Sequence, residues 1–146
     1  MLKGDPLVRG VTTKLPGSRG YAVKYPADNN WNKGVPIGVN DIINRVNTLS
    51  KKCPDIKFAM VGYSLGAAVM HSTFARENTT NRPIFDKTLY PKITALVMFG
   101  DPGLVIRGRG PTNPKAFPPK LYAKLRENCA ANDSVRLPFV EGCANC

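Results

Sequence analysis

Histidine and acid are scarce in this sequence. The 146 residues hold one histidine, His71, one tryptophan, and 10 Asp and Glu against 21 Lys and Arg, for a formal net charge of +11. One histidine leaves a single candidate for any imidazole-dependent step. No apolar run approaches the ~20 residues that a membrane span needs. The opening stretch "MLKGDPLVRG" lacks the apolar centre of a signal peptide. The four cysteines, Cys53, Cys129, Cys143 and Cys146, fit no standard zinc spacing, so no metal is expected. Three of them crowd the C-terminal end and could form disulfides, which would require an oxidising compartment. Asn78-Thr79-Thr80 and Asn132-Asp133-Ser134 match a glycosylation sequon, a pattern short enough to arise by chance.

The excess of basic charge would suit an anionic partner if it were clustered. Along the chain it is dispersed, and the longest basic run is Lys51-Lys52. No stripe of interleaved aromatic and basic residues supports nucleic-acid binding, so none is expected. A generally basic, soluble surface is the simpler expectation. Hydrophobic residues at 42% and charged residues at 21% are ordinary globular values. The length suits one domain, residues 1–146, large enough to bury a core.

The pattern alternates. Residues 5–16 fit a short helix before Pro16-Gly17, and "YAVKY", 21–25, is β-rich and ends at Pro26. The polar, turn-rich stretch 26–38 is expected to be a loop. From Val39, the residues Ile42, Ile43, Val46 and Leu49 recur at helical spacing, and this helix should end near Cys53-Pro54. "IKFAMVGY", 56–63, is nearly continuous and apolar, as in a strand buried on both faces. Residues 65–75 fit a helix whose small residues permit close packing. Residues 76–91 form a polar connection with room for one helical turn. "ITALVMFG", 93–100, is the strongest strand, and 121–129 ends in or contains another. Strands alternating with helices predict parallel βαβ units in a three-layer α/β/α sandwich with a mainly parallel sheet.

Within this pattern, Gly62-Tyr63-Ser64-Leu65-Gly66 fits G-x-S-x-G. A serine on a sharp strand-to-helix turn is held in a strained conformation with its hydroxyl raised above the sheet edge. Flanking glycines remove side chains that would collide with the strand and helix. The helix N-terminus aims N–H groups at a developing oxyanion. Residues 56–75 supply the required order of strand, turn and helix. The competing reading is a tight βα turn that happens to carry a serine.

Five blocks carry a resemblance: "LPGSRGYAVKYPA", "KKCPDIKF", "GYSLGAAVM", "ITALVMFGDPG" and "ENCAANDSV". In this order and spacing, from about Leu7 to Val135, they resemble the cutinase and acetylxylan-esterase family of the α/β-hydrolase fold. The resemblance implies a secreted serine hydrolase acting on carboxylic esters such as cutin, acetylated polysaccharide or short-chain acyl esters. It implies no cofactor and no metal, and a monomer is expected. Ser64 matches the family nucleophile. Leu65 stands where the family usually has glutamine, and its backbone N–H would be an oxyanion donor. Asp133, four residues after Cys129, matches the catalytic acid. Asp101, in "FGDPG", is a competing carboxylate, with a capping or turn role as the simpler expectation.

The pattern breaks at both ends. The family places its catalytic histidine after the acid, and none follows Asp133. His71 lies seven residues beyond Ser64 on the same expected helix, ~10 Å along its axis at ~1.5 Å per residue. A general base must come within ~2.6–3.2 Å of the hydroxyl or one water away. His71 is therefore expected to be a surface or helix-packing residue. Arg136 stands where the family's acid loop closes with a second cysteine, and residues 136–146 diverge. The family's first strand and the loop supplying a second oxyanion donor have no counterpart before Gly4. Cys53 matches a family cysteine whose usual partner lies in that missing part. These departures suggest an incomplete domain, from a truncated or mispredicted gene product or a fragment. The alternative is an inactive relative.

Overall fold

Three strands, two of them apolar and each entered directly from a lysine, pair in one sheet. In the computed structural model, which describes residues 5–28, 30–74, 83–102 and 117–128, β1 (Phe58–Tyr63) follows Lys57. β2 (Ile93–Phe99) follows Lys92, and β3 (Leu125–Asn128) follows Lys124. The order is β1-β2-β3 and both pairings are parallel. The register aligns Met60 with Leu96 and Leu96 with Leu125. It aligns Gly62 with Met98 and Met98 with Glu127. Parallel strands need crossover connections, and α3 (Leu65–Phe74) supplies the one between β1 and β2.

α3 and α2 (Trp31–Lys52) pack against each other, and α3 packs on β1. The stripe Val35, Val39, Ile42, Ile43 and Val46 on α2 is buried with Ala67, Ala68, Val69 and Met70 of α3. The two helices approach closely at Gly38, where an added Cβ would lie 2.7 Å from Val69 Cγ1. Below them Leu96, Met98 and Leu121 are fully buried. An aromatic group closes the core: Phe74 lies 4.9 Å from Phe85 and 5.9 Å from Phe117, ring centre to ring centre. Such tilted and edge-on contacts add ~0.5–1.5 kcal/mol each beyond area burial. α1 (Asp5–Lys14) is largely exposed. A 3-10 helix (Lys87–Lys92) leads into β2, and the short α4 (Pro119–Tyr122) precedes β3. No helix among the described residues is long and apolar enough to cross a membrane.

The α/β class and the strand-helix-strand order agree with the sequence, and three local expectations do not. Residues 21–25 are not a strand. The Lys24 N–H donates to the Asp41 side chain at 2.9 Å, and the Tyr21 hydroxyl bonds the same carboxylate. Arg45 lies over the Tyr21 ring at 4.4 Å. Side chains of α2 thus hold this segment in place of a neighbouring strand. Second, α2 begins at Trp31 and runs through Pro36. Asn30 caps it by accepting from the Lys33 N–H, and the buried face already starts at Gly34 and Val35. Burial of that stripe overrides the turn-like composition. Third, β1 is not buried on both faces. Ala59, Val61 and Tyr63 are exposed, while Gly62 on the opposite face is buried against α3.

Candidate active site

Ser64 sits between the last residue of β1 and the first of α3. Its φ is 51°, and it is the one non-glycine residue with positive φ among those described. For an L-residue this left-handed conformation costs roughly 1–2 kcal/mol. Two backbone bonds hold it. The Ser64 N–H donates to Phe99 O at 2.9 Å, continuing the β1–β2 ladder by one residue, and the Ser64 carbonyl accepts from the Ala68 N–H at 3.0 Å, opening α3. One residue thus ends a strand and starts a helix, which forces the sharp corner.

Gly62 explains itself in the same place. A Cβ there would lie 2.6 Å from the Gly66 carbonyl oxygen and 2.7 Å from the Ala67 Cα and N. These are backbone atoms and cannot move aside, so the corner closes only around glycine. Leu65 carries the first N–H of α3, one of the donors that no carbonyl within a helix can satisfy. Ser64 and Leu65 are both partly accessible. The geometry therefore presents a serine hydroxyl and a free helix N-terminus at the C-terminal end of a parallel sheet, where open α/β sheets bind their ligands.

His71 is not at this corner. It lies in the second half of α3, 2% exposed, and its Nδ1–H donates to Asp101 Oδ2 at 2.7 Å. Phe117 meets its ring edge-on at 5.5 Å. Nε2 is buried and has no hydrogen-bond partner among the described residues, so the imidazole does not bond the Ser64 hydroxyl. The surface alternative for His71 is thereby excluded, and packing within the core is what is found.

Asp101 is corrected more sharply. It is 1% exposed and paired with His71, not a solvent-side turn aspartate. A buried carboxylate carries a heavy desolvation cost unless paired, and His71 supplies the pairing. Glu127, which sequence reasoning missed, joins them. Its register partner Met98 is fully buried, so alternation puts Glu127 on the helix-covered face. Burial pushes its carboxyl above the usual range; the Asp101 charge adds to the shift and His71 opposes it. The available signal was a glutamate two residues after Leu125 on the inward face of a short strand.

One donor atom from each of His71, Asp101 and Glu127 lies within 4.8 Å of the others. The 2.7 Å contact is a hydrogen bond. Two ligands at ~2.0–2.1 Å from a tetrahedral zinc would stand roughly 3.3 Å apart. The His71–Asp101 contact is shorter than that, as suits a direct hydrogen bond more than shared ligation of an ion. Asp133, Cys129, Cys143, Cys146 and both sequons lie outside the described residues. Cys53 is exposed at the C-cap of α2, with a free thiol.

Comparison with known proteins places this corner in a family. The family model described as Cutinase matches residues 3–139. Acetylxylan esterase 2 of Talaromyces purpureogenus is 25% identical over 151 residues, covering 87% of this chain and 64% of its own length. A Mycobacterium bovis protein named "Probable carboxylesterase Culp2" is 33% identical over 141 residues, covering 92% of this chain and 56% of its own. The chain thus spans about three-fifths of the curated relatives it matches. Among solved structures, an iodinated complex of acetyl xylan esterase superposes with a TM-score of 0.76 at 23% identity, covering 97% of this chain and 79% of that one. That likeness carries the α/β-hydrolase fold. The strained serine corner, the parallel sheet and the match over residues 3–139 lead to one conclusion: the chain belongs to the cutinase family.

Proposed function

We infer that the chain carries the nucleophile half of a serine carboxylic-ester hydrolase, with Ser64 as nucleophile. The observation that carries this is the positive φ of Ser64 at the β1–α3 corner. Strain at a single non-glycine residue is held only where the surroundings fix it, and such positions concentrate at active sites. Leu65 N–H serves as an oxyanion donor, and Asp133 is the orienting acid by its match to the family. The substrates are carboxylic esters in cutin, acetylated polysaccharide or short acyl compounds, in keeping with relatives named for cutinase and acetylxylan esterase activity. A secreted, monomeric enzyme without cofactor or metal fits the same family.

In the reaction, Ser64 Oγ bonds to the ester carbonyl carbon and the carbonyl oxygen becomes an oxyanion facing the start of α3. The C–O bond to the alcohol then breaks, and the alcohol leaves with a proton. Water later displaces the acyl group from Ser64. Each half needs a group that takes and returns the hydroxyl proton, which in a triad is histidine. The one histidine of this sequence is sealed against Asp101. Within these 146 residues, therefore, the Oγ proton passes to solvent base. The expected rate is low and rises with hydroxide concentration, without the inflection near pH ~6.5 that an imidazole base gives.

The sequestered histidine favours a second reading, a family relative that does not catalyse. Hydrolysis of p-nitrophenyl butyrate by the chain and by Ser64→Ala separates the two. A residual rate lost in the variant supports the esterase; oxyanion stabilisation and binding alone sustain ~10³-fold or more over water in triad-deficient enzymes. Equal rates support the non-catalytic relative.

A further inference from the structure

Five lysines dispersed in sequence belong to one end of the fold. Lys57, Lys92 and Lys124 each stand immediately before a strand. Because the three strands are parallel, all three lysines belong to the sheet's N-terminal end. β3 starts further along than the others, with Leu125 beside Leu96, yet the Lys124 ammonium returns to Tyr90 O at 3.0 Å. The Lys57 ammonium reaches the next carbonyl, Pro91 O, at 3.5 Å, and that of Lys92 bonds Pro54 O. Three ammonium groups thus sit on carbonyls of two adjoining turns. Lys51 and Lys52 end α2 just before Pro54 and are exposed.

Among the described residues no carboxylate forms an ion pair with these lysines. Among the described residues the one ion pair is His71 with Asp101, in the core. Of the described acidic residues close to these lysines in sequence, Asp55 is exposed and pairs with no described cation, and the Asp86 carboxylate accepts from the Thr88 N–H and hydroxyl. Like charges brought to one end of a sheet raise a positive potential that counter-ions or a polyanion would relieve. The groups are ammonium point charges on flexible stems, without the rigid fork that matches phosphate bidentately. The guanidinium of Arg126 is turned onto the carbonyls of Ala123 and Leu125. The aromatic residue among the lysines, Tyr90, is buried, and Tyr122 is a single exposed ring where single-strand binders use several.

We propose that this end of the sheet is an interaction surface for a linear acidic polysaccharide, held through Lys51, Lys52, Lys57, Lys92 and Lys124. Carboxylates spaced along a flexible glycan suit separated ammonium groups that demand no fixed geometry. Ser64 lies at the other end of β1, about 20 Å away at ~3.3 Å per residue. The surface therefore anchors the protein on a polymer and leaves the serine corner facing away from the chain it holds. It does not depend on Ser64 being catalytic.

The test is binding of the full 146-residue chain to polygalacturonate, by calorimetry at ~50 and ~200 mM salt. Double-stranded DNA and neutral xylan serve as comparison ligands. Lys51→Glu/Lys52→Glu is the main variant, since those ammonium groups hold no backbone carbonyl among the described residues. Lys24→Glu/Lys33→Glu makes the same charge change toward the other end of α2, about 30 Å from Lys51 and Lys52 in the case of Lys33 at ~1.5 Å per residue. The proposal expects binding to polygalacturonate that weakens steeply with salt. It expects a loss of about tenfold or more in the first variant and under about threefold in the second. Absence of binding, equal loss in both variants, equal binding of neutral xylan, or tighter binding of DNA would each overturn it.

Discussion

His71 and Asp101, 30 residues apart in sequence, face each other at 2.7 Å in the core. The bond ties the second half of the serine helix to the second residue beyond β2. It fixes the elements that flank Ser64, and it withholds from Ser64 the one imidazole in the sequence.

Removing one partner of such a pair takes away a buried, charge-assisted bond. Asp101→Asn or His71→Leu is expected to lower stability by about 3–5 kcal/mol in urea unfolding. The double variant Asp101→Leu/His71→Leu should fall short of the sum of the singles by about 1–3 kcal/mol. Strict additivity would show that the contact has no energetic weight.

Glu127 makes stability depend on pH. Its folded pKa is raised, by burial first and then by Asp101. In the window between the unfolded and folded values, the native state holds more protons than the unfolded state, so stability falls as pH rises through it. Glu127→Gln should raise the melting temperature above that window and flatten its decline. Melting curves between pH ~4 and ~8 on both proteins check this.

Strain at Ser64 is measurable separately from chemistry. Glycine relieves the ~1–2 kcal/mol cost of positive φ. Against this, it adds ~0.5–1 kcal/mol of chain entropy to the unfolded state. Ser64→Gly is therefore expected to be up to about 1.5 kcal/mol more stable than the parent, whereas Ser64→Ala keeps the strain and gains nothing. A destabilised glycine variant would mean that the corner is not strained.

Gly62 admits no side chain. Gly62→Ala should cost about 1–3 kcal/mol, because its methyl would press on the backbone of Gly66 and Ala67. Equilibrium unfolding gives the number, and a neutral result would mean that α3 sits further from β1 than described.

Much of this architecture was legible in the sequence because it rests on local pattern. The strand at 93–99, the helix after Ser64 and the corner itself follow from apolar runs bounded by glycine. What escaped depended on partners distant in the chain. Residues 21–25 look like a strand by composition, but a strand needs a neighbour, and Asp41 took the Lys24 N–H instead. Residues 31–38 look like loop by their polar, turn-rich composition, but the buried stripe from Gly34 onward outweighs it. Asp101 follows a glycine and precedes Pro102, a turn-like setting that says nothing of the histidine waiting below it. Glu127 was hidden because its meaning lies in the register with Met98. The lysines were hidden for the same reason, since only parallel pairing brings Lys57, Lys92 and Lys124 to one end.

The most direct measurement is covalent capture of the serine. The folded chain is incubated with a fluorophosphonate ester, and the adduct is located by peptide mass spectrometry. The account predicts phosphonylation at Ser64, accelerating with pH and lost in Ser64→Ala. A folded protein that remains unmodified at Ser64 under these conditions, or that is modified equally in the alanine variant, would contradict it.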